Sequence, residues 1–298
     1  MIIALIVIIV LAAALIGAGV AMASYTMGIK RQTLDEARAW QAAHYDLSWY
    51  DALEKRDYTV QSFDGYALHV QQLQSPACDG RYVIISHGYT DNRFGALKYA
   101  KLYLDMGFNV IVYDLRGHGE NEETFCTYSA RERHDLAALI EDTRARYEDL
   151  RALGLHGESL GAATSVAVLS GKPEVDFVVS DCGFSEIAGV LKGGMRSMKL
   201  PEWLVNVASI GAKLRYGYSF TEMRPIDSLK DNETPILFIH GADDTFILPA
   251  HSEAMKAATK GYSELRLIDG AAHAMSVLTA PEAYAGYVAS FLENIGVK

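Results

Sequence analysis

The first stretch of the chain has no polar face at all. From Met1 to Gly28 there is no charged side chain, and Ile2 to Val20 consists only of Ile, Leu, Val, Ala and Gly. About 20 apolar residues suffice to cross a bilayer as a helix. A core helix of a folded domain would alternate apolar and polar stripes, which this run does not. Ala21-Met22-Ala23 resembles an A-x-A cleavage site, so a removable signal peptide is the alternative. No Lys or Arg precedes the apolar run, which favours an uncleaved single-pass anchor in the cell membrane. Lys30, Arg31 and Arg38 follow it, so the positive-inside rule taken alone puts the rest of the chain in the cytoplasm. The side of the membrane stays open, and a cleaved segment would imply secretion.

Residues Gln32 to Lys55, with Trp40, His44, Trp49 and Tyr50, read as an amphipathic connector lying on the membrane or against the following domain. Asp57 to Phe63 and Tyr66 to Leu73 then alternate apolar and polar positions around Asp64-Gly65, a hairpin signal. Beyond them the period switches between strand and helix. Strands are predicted near Tyr82–Ser86, Asn109–Tyr113, Arg151–His156, Asp176–Asp181, Ile236–His240 and Glu264–Ile268. Helices are predicted near Phe94–Met106, Arg131–Leu150, Leu160–Ser170, Pro249–Ala258 and Pro281–Ile295. Runs such as N-V-I-V-Y, apolar at nearly every position, imply a parallel sheet covered on both faces. From Cys182 to Pro225 the rhythm breaks into two helix-like pieces, Ser185 to Met198 and Pro201 to Tyr216, which would form a lid. Met195, Met198, Trp203, Leu204, Tyr216, Tyr218 and Phe220 are its candidate pocket-lining residues. The predicted organisation is an anchor or signal segment over 1–29, the connector over 30–56, and one domain over 57–298 with a helical cap at about 183–225.

The 298 residues allow one α/β domain with a large core after the apolar segment is set aside. Their formal net charge of −10 argues against nucleic-acid binding. Cys78, Cys126 and Cys182 form no disulfide framework. Cys126 and Cys182 both follow strands and could pair, although free, partly buried thiols are the simpler reading. The histidines lack metal-ligand spacing, so neither a metal nor another cofactor is implied.

The chemistry concentrates at Gly157-Glu158-Ser159-Leu160-Gly161, a G-x-S-x-G frame between a predicted strand and an apolar helix. A sharp strand-to-helix turn exposes the serine at strained backbone geometry, and the helix N-terminus faces it. A serine hydroxyl needs a histidine to take its proton and a carboxylate to orient that histidine. Both follow in order. Asp243 and Asp244 come just after the strand Pro235 to His240, and His273 comes just after Glu264 to Ile268. Chemistry in open α/β sheets gathers at such strand ends.

With these motifs in view, residues 57 to 296 resemble the α/β-hydrolase family, and bacterial membrane-anchored members with a short helical cap in particular. His87-Gly88-Tyr89 stands where the family has its oxyanion loop. Asp114-Leu115-Arg116-Gly117-His118-Gly119 is similar to its D-x-R-G-x-G turn, and His240-Gly241-Ala242-Asp243-Asp244 to its H-G-x-x-D. The H-G-G-G motif of one lipase and esterase branch is absent. The resemblance implies an α/β-hydrolase fold, with a mostly parallel central sheet, helices on both faces and a small cap. It also implies Ser159 as nucleophile, Asp244 as acid, His273 as base, and the backbone N–H groups of Tyr89 and Leu160 as oxyanion hole. Asp243 is then a turn residue. Asp114 and Arg116 are expected to be a buried, turn-stabilising pair, and His87, His118, His156 and His240 to be structural.

Carboxylic-ester hydrolysis of a small-molecule or lipid-like acyl substrate is the expected reaction. Peptide or amide hydrolysis by the same machinery is the alternative, and a non-catalytic binding protein that keeps the fold is a third.

Overall fold

Strands that are apolar on both faces need cover on both sides, and the chain supplies it by winding helices around one sheet. In the computed structural model, which describes residues 1–297, eight strands lie in the order β1-β2-β4-β3-β5-β6-β7-β8. They are β1 (Lys55–Gln61), β2 (Ala67–Leu73), β3 (Arg81–Ser86), β4 (Asn109–Tyr113), β5 (Ala152–Glu158), β6 (Phe177–Asp181), β7 (Ile236–Gly241) and β8 (Ser263–Ile268). The hairpin pairs β1 antiparallel to β2, with Asp57 opposite Gln71, and β2 runs antiparallel to β4. Every later pairing is parallel. The chain passes from β3 to β4 on one side and then crosses back to β5 on the other side of β3. The loops after β3 and β5 therefore flank a crevice at the strands' C-terminal ends.

The helices are α1 (Ile2–Met27), α2 (Leu34–His44), α3 (Ser48–Ala52), α4 (Leu97–Asp105), α5 (Glu132–Arg146), α6 (Leu160–Ala167), α7 (Ile187–Ser197), α8 (Trp203–Tyr216), α9 (Ala250–Ala258), α10 (Ser276–Thr279) and α11 (Pro281–Asn294). Alternate strand residues feed two cores. Ile84, Ile111 and Leu155 pack with Leu136, Leu139 and Val166 on one face, while Val83, Ile85, Val110 and Val112 pack with Tyr99, Tyr284 and Phe291 on the other. Helices α7 and α8 occupy the predicted interruption between β6 and β7 and form the cap.

The connector lies against the domain. Thr33 and Glu36 form a capping box at the start of α2, and Leu47 and Tyr50 join the second core. The Gln32 N–H donates to the Thr90 carbonyl at 3.0 Å, and Asn92 Nδ2 donates to the carbonyls of Gln32 and Thr33.

Helix α1 has two parts. Residues 2–18 are exposed all round, whereas Gly19, Ala23 and Met27, one residue per turn, are buried against the cap and its neighbours. All three cysteines are free, with Cys126 and Cys182 fully buried, so these two do not pair.

Candidate active site

Strand β5 turns directly into α6, and the turn residue is Ser159 at φ 53° and ψ −111°. That conformation is strained for a residue with a Cβ. Close packing demands the flanking glycines. A Cβ on Gly157 would stand 2.3 Å from the Gly161 backbone, and one on Gly161 would stand 2.1 Å from the Ser86 carbonyl oxygen.

The structure brings Asp244 and His273 to this serine. Asp244 follows β7 and is fully buried in its side chain. His273 follows β8 and stands between the two, with Nδ1 2.7 Å from Asp244 Oδ2 and Nε2 3.0 Å from Ser159 Oγ. Burial by itself would raise the Asp244 carboxyl. Hydrogen bonds from His240, His273 and the Ile247 N–H outweigh it and hold the group well below the usual carboxylate range. Its other oxygen accepts the N–H groups of Phe246 and Ile247, each at 2.9 Å. An ionised Asp244 can only accept, so His273 Nδ1 carries the proton and Nε2 is left to accept from the Ser159 hydroxyl. Asp243 is exposed and only its backbone takes part, donating to the Ala271 carbonyl at 3.0 Å.

Tyr89 and Leu160 lie on the two loops at the serine. A Cβ on Gly88 would be 3.8 Å from Ser159 Cβ, so the loop carrying Tyr89 touches the Ser159 turn. Leu160 is the first residue of α6, where the N–H has no intrahelical acceptor.

The remaining histidines hold the surrounding loops. His87 Nε2 accepts the Leu115 N–H at 2.9 Å, while its Nδ1 faces the Gly88 carbonyl at 2.7 Å. His118 Nδ1 donates to the Arg116 carbonyl, and His156 lies between the hydroxyls of Tyr103 and Tyr284. His240 is held by Ser252 and the Ile247 carbonyl, each at 2.7 Å, and braces Asp244.

Asp114 and Arg116 are both buried, but they do not pair with each other. Asp114 accepts from the Arg93 guanidinium and backbone, and Arg116 pairs with Asp135 and with Asp64. Their side chains leave the turn in opposite directions, so each braces a different neighbour. The lid residues also divide. Phe220 is fully buried and Tyr216 and Tyr218 pack on the core, whereas Met198 and Trp203 face outward at 60% and 55% exposure.

One set of residues beside Ser159 carries no sequence motif. Lys98 Nζ pairs with Glu158, the residue before Ser159, and donates to the carbonyl of Ala274, the residue after His273, at 3.3 Å. Tyr99 OH contacts Glu158 at 2.6 Å and Asp181 at 3.0 Å. Both anchoring residues sit in α4, so one helix ties together the two loops that carry Ser159 and His273. Lys98, Glu158 and Ala274, with Asp91, Trp40 and Gln41, line a cleft of about 210 Å³. Glu158, open from sequence to a substrate contact, is occupied by this network.

Residues 83–286 match the sequence profile described as the alpha/beta hydrolase family. The chain is 30% identical over 294 residues to YqkD, an uncharacterized protein of Bacillus subtilis (strain 168), covering 96% of this chain and 95% of that one. In structure it resembles an esterase of Pyrococcus furiosus, at 22% identity and a TM-score of 0.72 over 90% of this chain and 97% of the esterase. An acylaminoacyl peptidase of Pyrococcus horikoshii is similar over 81% of this chain but 41% of its own, at 15% identity and a TM-score of 0.62. These two likenesses speak for the fold. The matched profile spans most of the sheet and the turn at Ser159, and with it the chain belongs to the alpha/beta hydrolase family.

Proposed function

We propose that this protein is a membrane-anchored serine hydrolase that cleaves carboxylic esters. The observation that carries the reading is the unbroken hydrogen-bond chain from Asp244 through His273 to Ser159. In acylation, Ser159 Oγ bonds to the substrate's acyl carbon as its proton passes to His273 Nε2, and Asp244 stabilises the imidazolium. The carbonyl oxygen becomes an oxyanion held by the N–H groups of Tyr89 and Leu160. Collapse expels the alkoxide, which takes the proton from His273. Water then enters, gives one proton to Nε2 and its oxygen to the acyl carbon, and collapse releases the acid as Ser159 Oγ takes that proton back from Nε2. The Phe246 ring lies 5.1 Å from the His273 ring and is 63% exposed, offering an apolar contact beside the reacting centre.

The anchoring half of the proposal rests on α1. It is long and apolar enough to span a bilayer. Its last third is also built into the domain. Thr26 accepts a hydrogen bond from the Tyr128 hydroxyl, Met27 accepts the Cys126 N–H at 2.9 Å, and Gly28 pairs with Phe125. Cleavage after Ala23 would remove the buried Gly19 and Ala23, which favours retention of the helix.

A fluorophosphonate probe tests the chemistry. It should label the wild type and not Ser159→Ala, which should also lose ester turnover by about 10⁴-fold or more while keeping its circular dichroism. Undiminished turnover by the alanine variant would refute the proposal.

A further inference from the structure

We infer that the cap helix α8 and the turn before it sit in the lipid interface beside α1, and that the site draws its acyl ester from the bilayer. The inference rests on the anchoring proposed above and adds to it the surface that meets lipid.

Helix α8 is apolar on two sides. Val205, Ala208 and Ala212 are buried on the domain, as expected of a covering helix. A soluble cap would be polar on its outer side. Here Trp203, Val207, Ile210 and Leu214 form a second stripe at helical spacing, and Trp203, Ile210 and Leu214 are 55%, 57% and 62% exposed.

The second stripe runs into the surface of α1. The two helices cross backbone to backbone: a Cβ on Gly211 would stand 2.1 Å from the Gly19 carbonyl carbon, and one on Gly19 would stand 2.5 Å from the Val207 carbonyl oxygen. Nine residues after Gly19, Gly28 pairs with Phe125, whose ring lies 4.6 Å from Tyr216, beyond Gly211 in α8. Both helices thus run in the same direction. The start of α8 points toward the free apolar half of α1, residues 2–18, which at 1.5 Å per residue covers about 25 Å of a ~30 Å hydrocarbon core.

At that end of α8 the turn Met198-Lys199-Leu200 carries two exposed apolar side chains with a lysine between them. Apolar groups at the acyl boundary with cations at headgroup level is the composition of an interfacial element. The reacting end of the domain lies toward the other end of α8: Tyr89, on the loop touching Ser159, donates its hydroxyl to the Gly28 carbonyl at 2.7 Å, and Gly28 pairs with Phe125 beside Tyr216. Helix α8, about 20 Å long at 1.5 Å per residue, thus reaches from the acyl boundary toward the site, and a long-chain ester follows its length from the bilayer.

The test uses the full chain reconstituted in phosphatidylcholine–phosphatidylglycerol vesicles. Lipids brominated near the headgroup end of the acyl chain should quench a tryptophan component that Trp203→Phe removes. Leu200→Glu should reduce turnover of a long-chain ester carried in the vesicles by about tenfold, a 1.4 kcal/mol effect, and leave hydrolysis of soluble p-nitrophenyl acetate unchanged. Protein that floats with the vesicles but whose Trp203 is reached only by aqueous iodide would overturn the inference while sparing the anchor. Trp203 shielded from both quenchers, with disulfide-linked dimers of Trp203→Cys, would assign the stripe to a second copy and also overturn it. Failure to float would instead remove the anchor itself. Loss of p-nitrophenyl acetate hydrolysis in Ser159→Ala checks the chemistry apart from all of these.

Discussion

The hydroxyl of Tyr89 donates to the carbonyl oxygen of Gly28 across 2.7 Å, tying the loop beside Ser159 to the end of the N-terminal helix. The end of that helix is therefore part of the domain's structure. Tyr89→Phe removes one partly exposed hydrogen bond and should lower stability by about 1 kcal/mol. Starting the chain at Lys30 removes more: the fully buried Ala23 and Met27 and the Met27–Cys126 bond go with it. Thermal unfolding of the shortened chain should fall well below that of Tyr89→Phe. Equal melting temperatures would show that α1 contributes nothing to the fold beyond the Tyr89–Gly28 bond.

Asp244 and Asp243 are neighbours with opposite surroundings, one buried against His273 and one exposed. Asp244→Asn turns the acceptor at His273 Nδ1 into an amide and favours the wrong imidazole tautomer. Turnover should fall by about 10⁴-fold. Asp243→Asn, whose side chain faces solvent, should stay within a few-fold of the wild type. Steady-state kcat for the two variants ranks them, and the reverse order would move the acid to Asp243.

The fold is legible in the sequence where burial is two-sided. Asn109–Tyr113 is apolar at nearly every position because helices cover both faces, and its bounds agree with the structure. The order Ser159, Asp244, His273 is readable for a related reason: each follows a strand, and parallel strands gather those ends. Contacts between distant segments leave no such mark. Lys98 is one polar residue on an otherwise amphipathic helix, and nothing near it points to Glu158 or Ala274. Gly19 is lost among small apolar residues, although a Cβ there would stand 2.5 Å from the Val207 carbonyl oxygen. Asp114 and Arg116 look like partners because they are adjacent, yet burial sends each to a different counter-charge.

Lys98 is the one cation among Glu158, Asp181 and Asp91 at the base of the site. Burial by itself would lower its ammonium, but Glu158 outweighs that and raises it, so Lys98 is held charged. Lys98→Met leaves a buried carboxylate uncompensated and should destabilise the protein by about 3–5 kcal/mol. Adding Glu158→Gln removes that charge and should restore a large part of the loss. Urea unfolding of the two single variants and the double variant gives the coupling directly. Strictly additive losses would show that the two side chains do not act on each other.

Stability should climb as pH rises from about 4 to about 6. Burial pushes His87 down to about 4 and His118 and His156 to about 3, so all three stay neutral in the folded protein. Once unfolded they return to 6.5, and in this window each takes up a proton. Asp91 and Asp181 work the other way. Burial first, then the charge of Glu158, raises them to about 6, so each sheds a proton on unfolding. Three protons gained against two lost leaves a net uptake of about one. The unfolded state then binds more protons, and stability should rise by about 1.4 kcal/mol per pH unit before levelling above 6.5. Asp181→Asn deletes one of the opposing groups and should roughly double the slope. It should also stabilise the protein at pH 7, where the wild type keeps that carboxylate ionised and one of its oxygens without a partner among the described residues. Chemical denaturation of both proteins at pH 4.5, 5.5 and 6.5 measures the two slopes. An unchanged slope in the variant would mean that Asp181 is already ionised in the folded protein at acidic pH.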